Sequence, residues 1–129
     1  MVDKIDSFSL NKGKVIANRF TVVDLLGAGY EGEVYRVLES HTNKERAIKL
    51  FFPHRNPKFK ISTRYAKKLD KLRDSPIVMD YLSHEILRIK GHRVACLASE
   101  FIEGQLLGHF IDRQRQKKLG IFPAIHLLY

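Results

Sequence analysis

Three glycines and one lysine are the residues of this chain whose types and spacing could do chemistry. Gly27, Gly29 and Gly32 follow the pattern G-x-G-x-x-G, and Lys49 comes later in the chain. Glycine lets a turn bring backbone N–H groups close to a bulky anion and tolerates the positive φ angles that such turns can need. A phosphate chain is the anion that this pattern favours. Short glycine patterns also arise by chance, so the neighbouring elements must decide between a phosphate site and an ordinary β-turn.

β-prone segments flank the glycine pattern on both sides. Residues 20–26, 33–38 and 46–52 are rich in β-branched and aromatic side chains, and short turns separate them. This order predicts an antiparallel meander whose first turn is the glycine pattern. A dinucleotide-binding fold would need a helix directly after Gly32, with the pyrophosphate at its N-terminus. The strand predicted there argues against that fold.

The second half of the chain predicts one helix and further strands. A basic, Pro-containing loop over residues 54–60 leads into a helix over 61–73, whose apolar stripe is formed by Ile61, Tyr65, Leu69 and Leu72. Strands are then predicted over 77–89, with a bend, and over 94–102. Beyond Gly104 the apolar residues return to a helical period.

The composition is that of one folded domain. Of the 129 residues 44% are hydrophobic and 29% are charged, which is atypical of a disordered chain. No apolar run is long enough to span a membrane, and the N-terminus has no signal-peptide core, so we expect a cytoplasmic protein. The single cysteine, Cys96, lies in an apolar run and is expected to be a buried structural thiol.

The formal net charge of +9 is concentrated in two segments. Neither segment interleaves the aromatic residues of a single-strand nucleic-acid platform, so nucleic-acid binding is the weakest interpretation. A solvated helix face is favoured, and docking of an acidic protein partner is the alternative. The first segment contains Arg55, Lys58, Lys60, Arg64, Lys67, Lys68, Lys71 and Arg73, and the second contains Arg113, Arg115, Lys117 and Lys118.

The order of these motifs resembles the N-terminal lobe (N-lobe) of protein kinases, especially the bacterial Ser/Thr type. The resemblance rests on the loop residues Gly27, Gly29, Gly32 and Val34, on Ala47-Ile48-Lys49 in the third strand, and on Ser99-Glu100-Phe101-Ile102-Glu103-Gly104 as the hinge. It implies an α+β fold: a five-stranded antiparallel sheet with one main helix, followed by helices that begin a second lobe (C-lobe). Residues 1–18 would be an N-terminal leader, residues 19–104 the N-lobe, and residues 105–129 the truncated start of the C-lobe helices.

The resemblance also implies a site for ATP and Mg²⁺. Lys49 would contact the α- and β-phosphates, while Ala47, on the same strand face, and Val34 would enclose the adenine. The backbone of Glu100 and Ile102 would bind the base, and the small Ser99 would leave a pocket open behind it. The implied nucleotide-binding residues are Gly27, Ala28, Gly29, Tyr30, Glu31, Gly32, Val34, Ala47, Lys49, Ser99, Glu100 and Ile102, and no metal ligand is assigned within this chain.

Three positions depart from the kinase pattern. Active kinases pair the lysine with a Glu on the helix, but Tyr65 takes that position here, so Lys49 is expected to lack its usual partner. We favour Tyr65 as a packed aromatic of the apolar stripe, with a role in holding Lys49 as the alternative. Glu31 at the loop tip would place negative charge near a triphosphate, which is unfavourable unless it points outward. Leu106 replaces a residue that usually offers the ribose a polar contact.

The catalytic loop and the metal-binding D-F-G motif of kinases are missing from the chain. The resemblance implies a full-length protein that is a Ser/Thr protein kinase-like phosphotransferase, and a 129-residue fragment that does not transfer phosphate by itself. The alternative is a pseudokinase or a regulatory binding module, suggested by Tyr65 and by the basic helix face. Apolar residues that would pack on the missing lobe are expected to make the fragment self-associate: Ile121, Phe122, Ile125, Leu127 and Leu128.

Overall fold

Six antiparallel strands and one α-helix make up the part of the chain that the computed structural model describes, residues 4–71 and 81–101. The strands are β1 Val15–Ile16, β2 Phe20–Ala28, β3 Gly32–Glu39, β4 Lys44–Phe51, β5 Tyr81–Ile89 and β6 His92–Glu100, and helix α1 is Lys60–Lys71. In the sheet they lie in the order β1-β2-β3-β4-β6-β5, so the chain leaves the meander after β4 and returns beyond β6. Two short 3-10 turns, Pro53–Arg55 and Pro57–Phe59, occupy the predicted loop before α1.

The sheet has one strand more than the five predicted. The additional strand is β1, which pairs with β2 through Val15 opposite Thr21 and Ile16 opposite Phe20. Two residues are too few to show an alternating pattern, so only the pairing with β2 defines this strand. The helices predicted after residue 104 lie outside the described residues.

Strand β4 is buried on both faces because it lies in the interior of the sheet. Ile48 and Leu50 point into one hydrophobic core, and Phe51 points into a second core on the opposite face. Burying side chains of this size contributes roughly 1.5–3 kcal/mol each. Lys49 shares the face of Phe51 by the two-residue period and therefore projects from a firmly packed strand.

The N-terminal segment packs against the first core. Phe8 and Leu10 are buried there, and the ring of Phe8 stacks on that of Phe52 with centroids 5.3 Å apart. The backbone N–H of Phe8 also donates to the buried carboxylate of Glu33, 2.9 Å away. Residues from the segment predicted as a leader thus contribute side chains to the core of the sheet.

Helix α1 packs on the opposite face of the sheet. Ala66 and Leu69 are buried against Phe51 and Leu97, and Tyr65 packs at the margin of this second core. Of the predicted apolar stripe, Ile61, Tyr65 and Leu69 pack in this core, whereas Leu72 lies outside the described residues. The outer face of the helix exposes the basic side chains Lys60, Arg64, Lys67, Lys68 and Lys71. No helix in the described ranges is long and apolar enough to cross a membrane.

Asn56 fixes the start of α1. Its Oδ1 accepts the backbone N–H groups of Ile61 and Ser62 at 2.9 and 3.0 Å, and its Nδ2 donates to the Ser62 hydroxyl at 2.9 Å. The first N–H groups of a helix have no partner within the helix, so this side chain satisfies two of them. The Ser62 hydroxyl also lies 3.0 Å from Nε2 of His84, which links the helix start to β5.

Cys96 is a buried free thiol in the first core, as its apolar surroundings predicted. Burial raises the pKa of this thiol to about 12, so it stays protonated near neutral pH. The side chain acts as a small hydrophobic residue on β6.

Candidate functional site

Lys49 lies beside helix α1 on the face of the sheet that the helix covers. Across the strands it stands opposite Val34 on β3 and opposite Leu97 on β6. Leu97 and Phe51 pack against α1 in the second core, so the Lys49 side chain emerges at the edge of that core. The lysine is therefore held between the helix and the glycine hairpin.

The next row of the same face carries two small side chains, Ala47 and Ser99, and the long side chain of Arg36. Ala47 stands opposite Ser99 on β6 and opposite Arg36 on β3. Ser99 is fully buried, and its hydroxyl donates to the Glu100 carbonyl oxygen at 3.3 Å. Lys49 thus has the helix on one side and, on the other, the row that leads to the predicted hinge.

The glycine pattern forms the hairpin turn between β2 and β3. The Gly29 N–H donates to the Gly32 carbonyl at 3.0 Å, while Gly27 and Ala28 still pair with β3. A Cβ atom on Gly32 would lie 2.0 Å from the Leu50 carbonyl oxygen, so β4 leaves room only for glycine. Gly29 has open space around it, and neither of these two glycines has a positive φ angle. Close approach of two strands, rather than positive φ, explains the glycine at position 32.

Two contacts anchor the tip of this hairpin to the segment after β4. The Glu31 carbonyl accepts the Phe52 N–H at 2.9 Å. The guanidinium of Arg55 stacks on the Tyr30 ring, 3.7 Å from its centroid, and donates to the Tyr30 hydroxyl. Tyr30 itself is 71% exposed. The tip is thus held over the face that carries Lys49.

The Glu31 side chain points inward and pairs with Lys49. Its Oε1 lies 3.6 Å from the Lys49 ammonium, whose residue is only 8% exposed. Burial lowers the pKa of Lys49, and the negative charge of Glu31 partly opposes that decrease. In the part of the chain that the structure describes, the carboxylate that contacts Lys49 comes from the loop. The outward orientation that would have kept Glu31 away from a phosphate is not the one found.

Tyr65 is the helix residue that contacts Glu31. Its hydroxyl lies 2.9 and 3.1 Å from the two carboxylate oxygens, and its ring stacks on Phe51 with centroids 6.0 Å apart. The ring also lies beneath the Lys49 ammonium, 5.7 Å from the centroid. Burial, together with the hydrogen bond to Glu31, raises the pKa of Tyr65 to about 12. Tyr65 is therefore both a packed aromatic and a polar partner of the loop.

Sequence reasoning missed Arg36, which borders the site. The Arg36 guanidinium lies over the ring of Phe101, 5.3 Å from its centroid, and pairs with Asp24. Arg36 follows Val34 by two positions, so strand periodicity could have placed it on the site's face. Of the predicted hinge residues, Glu100 ends β6 opposite Arg46, and Ile102 lies outside the described residues.

These groups suit binding of a phosphate chain. A buried ammonium beside a glycine hairpin is an arrangement that can contact an anion, and the small side chains of Ala47 and Ser99 lie in the next row of the same face. In the described ranges no cluster of three or more His, Cys, Asp or Glu side chains could hold a metal ion.

The chain resembles solved protein kinase structures. No family model and no curated protein matches it. The kinase domain of PF14_0431 is 27% identical over 86% of this chain and 32% of that structure, with a TM-score of 0.60. The PknI kinase domain of Mycobacterium tuberculosis is 20% identical over 78% of this chain and 42% of its own, with a TM-score of 0.57. A double mutant of that domain is 19% identical over 86% and 54%, with a TM-score of 0.58.

These similarities concern the fold. The sheet with its single covering helix matches the N-lobe of protein kinases, as the sequence predicted. The chain spans about a third to a half of the length of these kinase structures.

Proposed function

We propose that the chain is the ATP-binding N-lobe of a protein kinase-like phosphotransferase that acts on Ser/Thr residues of proteins. One observation carries the proposal: a buried lysine, Lys49, lies under a glycine hairpin on the sheet face that also carries Ala47 and Ser99. The kinase fold of the structural neighbours supports it.

Within this proposal each residue has a defined role. Lys49 and the backbone N–H groups of residues 30–32 bind the α- and β-phosphates, because a cation and aligned donors stabilise the anion. Val34 and Ala47 lie on the same face of the sheet and contact different parts of the adenine. The backbone of Glu100 and Ile102 binds its edge. Mg²⁺ neutralises the phosphates, and its protein ligands come from a C-lobe.

The alternative function, a pseudokinase or regulatory binding module, was suggested by Tyr65 in place of a helix Glu and by the basic helix face. The Tyr65 substitution is a weaker argument for a pseudokinase because Glu31 gives Lys49 a carboxylate at 3.6 Å. An ion pair is one of the features that kinases use to orient the lysine. We therefore favour the enzyme.

Thermal unfolding with and without ATP-Mg²⁺ tests nucleotide binding. In the full-length protein, nucleotide at a hundred times its dissociation constant should stabilise the fold by about 2.7 kcal/mol. Lys49→Met should remove this increase. Lys67→Met is the matched control, because Lys67 is exposed on the outer face of α1. An unchanged melting curve of the wild type in ATP-Mg²⁺ would contradict the proposal.

We propose that a C-lobe supplies the catalytic base and the metal ligands, so the 129-residue chain alone should not transfer phosphate. A radiolabelled transfer assay to a Ser/Thr-containing protein, with the chain and with the full-length protein, distinguishes the two. Transfer by the chain alone would show that this division of roles is wrong.

The basic face of α1 is a second, separate surface in this proposal. Its exposed lysines would attract an acidic protein partner through long-range attraction that salt screens. Reversal of Lys67, Lys68 and Lys71 to Glu should weaken capture of such a partner, most strongly at low salt. Equal capture by the reversed variant would leave this face as solvated surface.

A further inference from the structure

Three distant segments of the chain meet at Lys49. The hairpin contributes Glu31, the helix contributes Tyr65, and β4 contributes the lysine itself. We call these residues the Lys49–Glu31–Tyr65 triad. Glu31 lies between the other two, because its carboxylate contacts both the ammonium and the hydroxyl.

The geometry holds the carboxylate firmly. The Tyr65 hydroxyl is within hydrogen-bond distance of both Glu31 oxygens, and the Glu31 carbonyl is fixed by the Phe52 N–H at 2.9 Å. Tyr65 in turn stacks on Phe51, and Asn56 fixes the start of its helix. Glu31 and Tyr65 are therefore each held in place by contacts with neighbouring elements.

We propose that Glu31 and Tyr65 act together as the positioning pair of Lys49, with the carboxylate supplied by the loop and the attachment to the helix supplied by the tyrosine hydroxyl. This inference rests on the proposed function, in which Lys49 binds a nucleotide phosphate. The ammonium has three N–H donors, so it can contact Glu31 and a phosphate oxygen at the same time. Movement of the helix would then be transmitted to the hairpin through one hydrogen bond.

A competing role for Glu31 predicts the opposite sign. If its carboxylate occupied the place of a phosphate, its removal would strengthen nucleotide binding. If it positions Lys49, its removal leaves a buried ammonium without a partner and weakens binding. The shared anchoring by Tyr65 favours positioning, because a carboxylate that must leave would not need a hydrogen bond that retains it.

The first test measures Lys49 without any nucleotide. Acetic anhydride labels unprotonated amines, so labelling of Lys49 across pH, read by mass spectrometry, reports its titration. In Glu31→Gln the midpoint should move to lower pH, because burial remains while the opposing charge is lost. Tyr65→Phe should move it in the same direction by less. Arg64 and Lys68, the other cations near the Tyr65 ring, are unchanged in both variants.

The control for this titration is Glu45→Gln, which removes a carboxylate from the far end of the same strand, where it pairs with Arg36. Its midpoint should stay at the wild-type value. A Glu31→Gln midpoint equal to that of this control would overturn the pairing of Glu31 with Lys49. The readout is independent of ATP, so it decides the pairing even if the nucleotide proposal fails.

The second test measures ATP-Mg²⁺ affinity by calorimetry in the full-length protein. Glu31→Gln should weaken binding by about tenfold, the scale of one charge-assisted contact. Adding Tyr65→Glu to Glu31→Gln should restore part of the affinity, because the carboxylate then reaches Lys49 from the helix. Restored affinity in the double variant would show that Glu31 acts by positioning Lys49, because a general loss of structure would not be repaired by a carboxylate on the helix.

Each outcome of this second test has one meaning. Tighter binding by Glu31→Gln would overturn positioning and identify the carboxylate as a block. Absence of rescue in the double variant, with wild-type thermal stability, would overturn the division of roles between loop and helix. Absence of ATP-Mg²⁺ binding by the wild type would contradict the proposed function. The Lys49 titration, which needs no nucleotide, would then still test whether Glu31 pairs with Lys49.

Discussion

A Cβ atom on Gly32 would lie 2.0 Å from the carbonyl oxygen of Leu50 and 3.0 Å from the Cα of Phe51. Both obstructing atoms belong to the backbone of β4, which cannot rotate away as a side chain could. The hairpin and the strand that carries Lys49 are therefore in contact through backbone alone at this point.

Gly32→Ala should destabilise the fold by roughly 1–3 kcal/mol, since the two strands must separate to admit the methyl group. Unfolding in urea measures the change. Gly29→Ala is the matched control within the same hairpin, because nothing lies within 4 Å of its Cβ position. Equal stability of the two variants would contradict the close approach at Gly32.

Asn56→Ala should cost about 1–2 kcal/mol of unfolding free energy, because two N–H groups at the start of α1 lose their acceptor. Asn56→Asp keeps the acceptor and loses the donor to Ser62, so it should cost less. Urea unfolding of the three proteins provides the comparison. A larger loss in the Asp variant than in the Ala variant would show that the donor, and not the helix cap, matters.

Tyr35→Phe should destabilise the fold by roughly 1–3 kcal/mol, since the buried Glu33 carboxylate loses the hydroxyl that donates to it at 2.8 Å. The same substitution at Tyr30 is the control. Tyr30 is 71% exposed, so Tyr30→Phe should change stability by less than about 0.5 kcal/mol. Thermal or urea unfolding gives both values, and a neutral Tyr35→Phe would argue against the buried contact.

His84 should make the stability depend on pH. Burial lowers the pKa of His84 in the folded protein below its ordinary value of 6.5, so on acidification the unfolded chain binds a proton that the folded chain resists. The contribution of neutral His84 to the free energy of unfolding is fully present above pH 6.5. It is lost as the pH falls from 6.5 toward the pKa of His84 in the folded protein. Urea unfolding at a series of pH values should show a smaller decrease in this window for His84→Gln.

Glu85 pairs with Arg19, and this hydrogen bond lowers the pKa of the Glu85 carboxyl below 4.5. The stability that this pair contributes is therefore lost at more acidic pH than the contribution of His84. His41→Gln removes an exposed histidine from the turn between β3 and β4 and is the control for His84. If His41→Gln flattened the curve as much as His84→Gln, the buried histidine would not be its source.

Local sequence patterns determined much of the fold. Segments rich in β-branched and aromatic residues predicted β2, β3, β4 and β6, and Tyr65 and Leu69 of the predicted apolar stripe of α1 pack on the sheet. The strand period of two placed Ala47 and Lys49 on one face. These features follow from neighbours in the chain, so no knowledge of distant contacts was needed.

Only the tertiary structure shows which side chains of the site contact one another. The sequence indicated that the helix offers no carboxylate to Lys49, but only the folding of the hairpin over β4 brings Glu31 to 3.6 Å from the ammonium. Tyr65 joins them from a third segment. Strand β1 likewise exists only through its pairing with β2. The two-residue period of a strand determines which face a side chain occupies. The partner of a buried charge depends instead on distances through space, and strand register and loop conformation set those distances.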